Sequence, residues 1–230
     1  MGTDNRKDGA VRELPHYPSR LFKPGDQWKQ FDNMGDRIFL PANFIFVEPG
    51  DKVSFLYKVI SGCVISLEYT EDGSEHIFNI FEEGSIFLES NLMLDFPSAV
   101  YFQTRKPCEL TRIDRNSLEA AMKSDFAFSV ALLESMSYKY FSAMDQIREN
   151  ANRDAPWRVC NLLRLMAANG GERRDEWVQI DMKISQQMIA NLLCMNRTTV
   201  CSILKELKER EQIEIVNGYY RVRADDLRAQ

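Results

Sequence analysis

The 230-residue sequence holds only two histidines, His16 and His76, and five cysteines, Cys63, Cys108, Cys160, Cys194 and Cys201. An odd number of cysteines without Cys-x-x-Cys spacing argues against a disulfide framework or a structural zinc site. No run approaches the roughly eighteen apolar residues that span a bilayer. The opening Met-Gly-Thr-Asp-Asn-Arg contains no apolar signal core, and Arg6 stands where a myristoylation motif requires Ser or Thr. A cytoplasmic protein without a membrane partner is therefore expected. No nucleotide-phosphate loop, metal cluster or nucleophile-base pair is visible, so the chain does not read as an enzyme, and neither cofactor nor metal is expected.

The chain is long enough for two domains of ordinary size, and its 44% hydrophobic content is that of a globular protein. The net charge of −5 is unevenly distributed. Residues 153–230 hold 13 Lys and Arg against 11 Asp and Glu, while the rest holds 16 against 23. Any affinity for a polyanion must then come from locally placed cations, and a salt-sensitive complex is expected.

Residues 1–34 read as a polar, disordered start, a proline-punctuated lead-in from Pro15 to Pro24, and a short helix with Trp28, Phe31 and Met34 on one edge. From 35 to 116 short β-rich runs alternate with glycines. The runs are Ile38 to Leu40, Phe44 to Val47, Ser54 to Ile60, Cys63 to Tyr69, Ile77 to Phe81, Ile86 to Leu88, Ala99 to Thr104 and Cys108 to Ile113. Gly50, Gly62, Gly73 and Gly84 recur at about one strand plus one turn, which suggests a sandwich or barrel-like double sheet.

Residues 117–152 form the longest helical stretch. Phe126, Val130, Leu133, Ser137, Tyr140, Met144, Ile147 and Ala151 step by four and three alternately, the spacing of a coiled-coil seam. The same face could pack on the β domain, but a helix of roughly 25 residues is about 38 Å long, longer than a small domain is wide. A parallel dimer helix is the favoured reading.

Residues 153–230 begin with a hinge from Asn152 to Ala155 and a helix from Trp157 to Ala168, which Asn169-Gly170-Gly171 stops. A charged loop and a short strand from Trp177 to Met182 follow. Ser185 then caps a helix carrying Met188, Ile189, Leu192 and Leu193, and Cys194 and Met195 make a turn. Asn196 caps a second helix whose apolar stripe is Val200, Ile203, Leu204 and Leu207. Ala190 supplies the small residue two steeply crossing helices need. Arg197, Thr198, Thr199, Ser202 and Lys205 remain on the wet face, a donor-rich start suited to base edges and phosphates. An ordinary helical hairpin would show the same solvated face. The context separates the two: Ile213, Ile215 and Val216, then Asn217-Gly218, then Tyr219, Tyr220 and Val222 predict a β-hairpin wing, with Arg221 and Arg223 where flanking phosphates would lie.

A glycine-punctuated β-roll, a long dimer helix and a C-terminal winged helix, in that order, resemble the Crp/Fnr family of bacterial transcription regulators from about Gly35 to Val222. The matching residues are Pro49-Gly50-Asp51, Val59-Ile60-Ser61-Gly62, Glu71-Asp72-Gly73, Glu83-Gly84-Ser85-Ile86 and Asn196-Arg197-Thr198-Thr199-Val200. The resemblance implies an α+β chain: a jelly-roll-like double-stranded β-helix of the cyclic-nucleotide-binding type, a dimerisation helix, and a winged helix-turn-helix. It implies a homodimer that senses a signal in the β-roll and reads a two-fold symmetric operator in double-stranded DNA. Arg197 matches the arginine that opens the family's recognition helix, and RNA polymerase is a further partner this frame admits.

The departures are informative. Cyclic-AMP receptors have a glycine-glutamate pair and an arginine-serine pair that bind ribose and cyclic phosphate; here Leu88-Glu89 and Pro97-Ser98 replace them. Without that arginine a phosphate would be buried uncompensated. The expected effector is a small molecule other than cyclic AMP, less anionic and partly apolar, in a pocket of Phe87, Leu88, Glu89, Phe96, Ser98 and Phe102, with Met136 and Tyr138 from the long helix. The alternative is that these residues only fill the core. The iron-sulfur branch needs an N-terminal cysteine cluster, and no cysteine precedes Cys63. His76 reads as an exposed strand residue rather than a haem ligand. The texture is also similar to the branch that responds to chlorinated aromatic compounds. Thr198 and Ser202 stand where the best-known members have glutamate and arginine, so base preference should differ from theirs. A second functional reading is a redox or gas sensor using Cys194 and Cys201, against which stands the absence of an adjacent cationic partner in the sequence.

Overall fold

The computed structural model describes residues 31, 33–71 and 73–225. The readings made for residues 1–30, Trp28 among them, lie outside the described residues. Eight strands build the front part: β1 (Asp36–Leu40), β2 (Ile45–Val47), β3 (Phe55–Ser61), β4 (Cys63–Tyr69), β5 (Glu75–Glu82), β6 (Ile86–Phe87), β7 (Tyr101–Thr104) and β8 (Cys108–Asp114). They pair into two antiparallel four-stranded sheets, β1-β8-β3-β6 and β2-β7-β4-β5. Gly62 makes the β3–β4 turn possible. Its φ is +100°, and a Cβ there would lie 2.5 Å from the Pro107 carbonyl oxygen and 2.6 Å from Cys108 Sγ.

Leu56, Val59, Val64, Phe81, Phe87, Phe102, Leu110 and Ile113 fill the space between the sheets. The rings of Phe81, Phe87 and Phe102 stack within it, Phe87 and Phe102 at 5.2 Å between centroids. Between β6 and β7 lies a short helix, α1 (Glu89–Leu94), that the alternating pattern did not predict. Leu88, at φ 66°, is its left-handed N-cap.

The long helical stretch is two helices, α2 (Arg115–Ser124) and α3 (Phe126–Asn152). Asp125 separates them: extended at φ −136°, it ends α2 and accepts from the Phe128 amide at 3.2 Å to begin α3. Phe128, Ala131 and Leu132 press one face of α3 onto the roll, where Phe128 meets Phe31 at 4.6 Å between ring centroids. The predicted seam occupies another face.

The back part comprises α4 (Ala155–Gly170), β9 (Glu172–Arg174), β10 (Trp177–Gln179), α5 (Gln186–Leu193), α6 (Arg197–Glu209), β11 (Ile213–Val216) and β12 (Tyr219–Arg223). Asp154 caps α4 through the Trp157 amide at 2.9 Å. The strands join as β11-β12-β10-β9, so the charged segment read as a loop contributes an edge strand. Asn217 and Gly218, at φ 53° and 82°, give the wing its hairpin turn.

Five consecutive residues of β4, Cys63 to Leu67, are buried. A strand covered on one side alternates; this one does not, because both its faces are covered. Cys63, Ile65 and Leu67, with Ile77 and Ile80 of β5, belong to the apolar cluster that holds Val159, Leu163, Ile189, Val200, Ile203 and Leu207. The back part therefore packs on the outside of the β4–β5 pair.

Candidate functional site

The helix-turn-helix is α5 and α6. The Ser185 hydroxyl oxygen accepts from the Met188 amide at 3.0 Å, as expected of a cap. Asn196 occupies the N-cap of α6 but makes no side-chain cap bond, so the amides at that end are not closed off by its side chain. Ala190 is buried at the helix contact, and the Met195 amide reaches its carbonyl at 3.0 Å. Val200, Ile203, Leu204 and Leu207 are buried, while Arg197, Thr198, Thr199, Ser202 and Lys205 are all exposed along the opposite face. The five side chains are thus brought together on the exposed side of α6, with Arg197 at the edge of a cleft that Glu71 and Glu75 of the roll also line.

The wing arginines are placed differently. The Arg221 side chain is only 19% exposed, ion-paired to Glu214 at 2.8 Å and donating to Gln179 Oε1 at 3.1 Å. Arg223 pairs with Glu176 at 2.8 Å and lies over the Trp177 ring at 5.6 Å. Their register on β12, opposite Glu214 and beside β10, commits these cations to holding the sheet together. A phosphate contact by Arg221 or Arg223 would compete with these pairs. Lys183, which the sequence reading passed over, is exposed beside the turn, its Nζ 3.9 Å from the position of a Gly218 Cβ and 5.1 Å from the Tyr219 ring.

In the roll, a cleft of about 360 Å³ is lined by Phe78, Phe81, Phe87, Leu88, Glu89, Phe102 and, from α3, Lys139, Ala143 and Gln146. Of the expected pocket residues, Phe87, Leu88, Glu89 and Phe102 are here. Phe96 is 62% exposed in the turn after α1, and Ser98 is buried with its hydroxyl donating to the Val100 carbonyl at 2.6 Å. Met136 packs into the interior of the roll and Tyr138 is exposed. These four stand outside the cleft. The helical phase explains the miss: at 100° per residue, the wall facing the roll is the 139, 143, 146 series.

Lys139 is the cation that the sequence reading did not place. It forms an ion pair with the buried Glu89 and donates to the Ile86 carbonyl at 2.9 Å. A carboxylate brought into the roll needs such a partner, because an isolated charge there is very costly.

The seam residues Phe126, Leu133, Tyr140 and Ile147 are 82%, 63%, 62% and 62% exposed, and Val130 and Met144 are exposed with them. Ser137 lies among them, its hydroxyl donating to the Leu133 carbonyl at 2.7 Å. No disulfide joins the cysteines; Cys63, Cys108 and Cys160 are buried, Cys194 and Cys201 exposed. Burial pushes the Cys63 thiol up to about 12 and raises Cys108 as well. Among the described residues no group of three or more His, Cys, Asp or Glu could hold a metal ion, and no helix is long and apolar enough to cross a membrane.

Comparison with known proteins agrees with this architecture. Residues 37–125 match the cyclic nucleotide-binding domain and residues 158–229 the Crp-like helix-turn-helix domain. The global nitrogen regulator of Nostoc sp. is 28% identical over 172 residues, covering 73% of this chain and 76% of that protein. The cAMP-activated global transcriptional regulator CRP of Pasteurella multocida is 25% identical over 174 residues, covering 75% and 83%. The structure of CprK complexed with OCPA superposes with a TM-score of 0.74 at 18% identity, covering 90% of this chain and 95% of that one. A mutant of CooA from Carboxydothermus hydrogenoformans gives 0.75 at 18% identity, with 87% of each chain covered. A β-roll of the cyclic-nucleotide-binding type, a long helix and a Crp-like helix-turn-helix, each matched in its own residues, make this chain a DNA-binding transcription regulator of the Crp/Fnr family.

Proposed function

We propose that two copies of the chain pair along α3 and bind a two-fold symmetric duplex with one α6 from each copy, under the control of a small molecule in the cleft at Glu89 and Lys139. The observation that carries this reading is the division of α3 between two tasks. One face, Phe128, Ala131 and Leu132, packs on the roll, and another leaves Phe126, Leu133, Tyr140 and Ile147 in water. An apolar stripe with heptad spacing and no cover among the described residues is what a parallel partner helix buries.

The DNA contacts follow from α6. In this reading Arg197, exposed at the first turn, reaches a base edge, with Thr198, Thr199, Ser202 and Lys205, all exposed on the same helix, contributing beside it. The exposure of Lys183 beside the wing turn, near the Tyr219 ring, supports its taking a flanking phosphate in this reading.

The effector reading rests on Glu89 and Lys139. Their charges offset one another, so the cleft presents stacked aromatic rings and a neutral pair, which suits a partly apolar small molecule more than cyclic AMP. A cyclic phosphate would meet the Glu89 carboxylate without a cation to spare. Because Lys139, Ala143 and Gln146 come from the helix that carries the stripe, a ligand in the cleft bears directly on the dimer axis. It acts through its differential affinity for two arrangements about the α3–α4 junction at Arg153 and Asp154. Sedimentation equilibrium tests the pairing: a dimer is expected, and a monomer at micromolar concentration contradicts it.

A further inference from the structure

Beside the apolar contact of the winged module with β4 and β5, a polar cluster joins the two at the start of α6 and lies apart from the cleft at Glu89. Cys194, left-handed at φ 53° in the turn between α5 and α6, places Sγ 2.7 Å from Nε2 of His76 on β5. Nδ1 of the same ring lies 3.2 Å from Glu68 Oε1, on the β4 residue directly paired with His76. The ring is packed against Phe78, centroids 4.3 Å apart. A nucleophile, a base and an orienting carboxylate thus stand in series, the connectivity by which a thiol is activated.

The thiol is also reachable. Cys194 is exposed at the edge of a cleft of about 690 Å³ between the two parts of the chain, lined by Thr70, Glu71 and Glu75 of the roll and Asn196 and Arg197 of the module. Next to the cluster Glu75 accepts from Asn191 at 3.2 Å and pairs with Arg105. The contact therefore joins the domains at the start of the recognition helix. While it holds, Glu71 and Glu75 share a cleft with Arg197, where they oppose the approach of a phosphate backbone.

We propose that Cys194 is a modification site for hydroperoxides and that its oxidation undocks the winged module from β5. His76 takes the thiol proton at Nε2, and the sulfur attacks the terminal oxygen of ROOH. The S–O bond forms as the O–O bond breaks. Sulfur is oxidised by two electrons to a sulfenic acid, and the reduced RO fragment leaves as ROH with the proton His76 held. Oxidation removes the S–H that faces Nε2 at 2.7 Å and puts the remaining proton on the added oxygen, so the Cys194–His76 link is lost. Removing the module from β5 separates Arg197 from Glu71 and Glu75. Only this last consequence rests on the DNA-binding reading above.

The test uses the full chain, hydrogen peroxide and dimedone, with adducts located by peptide mass mapping and hydrogen exchange followed in parallel. Dimedone should mark Cys194 about tenfold faster than Cys201, and His76→Gln should bring Cys194 down to the Cys201 rate. On oxidation, amide exchange should rise in Glu75–Glu82 and Gln186–Leu193 of the wild type, and stay unchanged in Cys194→Ser. Equal rates at the two thiols, a rate indifferent to His76→Gln, or oxidation of Cys194 without faster exchange would each overturn the proposal. If His76→Gln does not fold, His76→Asn serves the same comparison. These readouts need no DNA, so a failure to bind any duplex would count against the DNA-binding reading alone.

Discussion

Lys139 of α3 reaches across to the buried carboxylate of Glu89 at the start of α1, and through this ion pair the long helix closes one wall of the cleft in the roll. Lys139→Met leaves Glu89 buried without its cation. A loss of about 3 kcal/mol or more in urea unfolding is expected, most of it recovered when Glu89→Leu is added. Equal stability of the single variant and wild type would show that the pair is not holding the helix to the roll.

Cyclic AMP should not act as the effector. Calorimetry is expected to show no micromolar binding of cyclic AMP, while partly apolar aromatic molecules of low charge are the class to screen. Micromolar cyclic AMP binding that also tightened DNA binding would contradict the neutral-pair account of the cleft.

The exposed stripe can be broken without touching either core. Val130→Asp with Tyr140→Asp places carboxylates in the seam, both positions being exposed in the single chain. The double variant should fold as wild type by circular dichroism yet sediment as a monomer, the buried charges costing several kcal/mol, on the order of 3 to 5, in the paired state.

On the DNA face, Arg197→Ala is expected to cost about 1–3 kcal/mol of operator affinity and to relax base preference at one position of each half-site. Lys183→Ala should weaken all sequences alike and lower the salt slope by about 1 for each copy. Arg221→Ala should act on stability instead, since it removes the cation that Glu214 of β11 and Gln179 of β10 hold from either side. Equal losses on operator and random duplex for Arg197→Ala and Lys183→Ala would defeat this division.

Thiol reactivity separates the cysteines. With its thiol pushed up to about 12 by burial, Cys63 should resist iodoacetamide at neutral pH in the native state, and Cys108, raised by the same cause, should resist with it. Labelling of either before unfolding would show that the packing of Cys108 against the β3–β4 turn opens.

What the sequence made legible follows from local rules. The eight strand runs, the Ser185 cap, the Asn217-Gly218 turn and the stripe of α6 depend on alternation, capping and helical spacing, and the structure has each of them. What it hid depends on partners distant in the chain. Asp125 looks like any polar residue inside a long helical pattern until its cap bond to Phe128 is seen. Arg221 reads as a free cation until the β11–β12 register sets Glu214 beside it. His76 reads as an ordinary strand residue because Cys194 lies 118 positions away. Lys139 had a local signal, since it, Ala143 and Gln146 follow helical steps of four and three. Placing that series against Glu89 still required the phase of α3 on the roll.

The central claim, a dimer reading symmetric DNA with two copies of α6, is tested most directly by selecting bound duplexes from a random pool and sequencing them. The account predicts an inverted repeat whose half-sites are centred about one helical turn, roughly 34 Å, apart, recovered by wild type and lost in Val130→Asp/Tyr140→Asp. Recovery of a single asymmetric site, or of the same site by the seam variant, would contradict it.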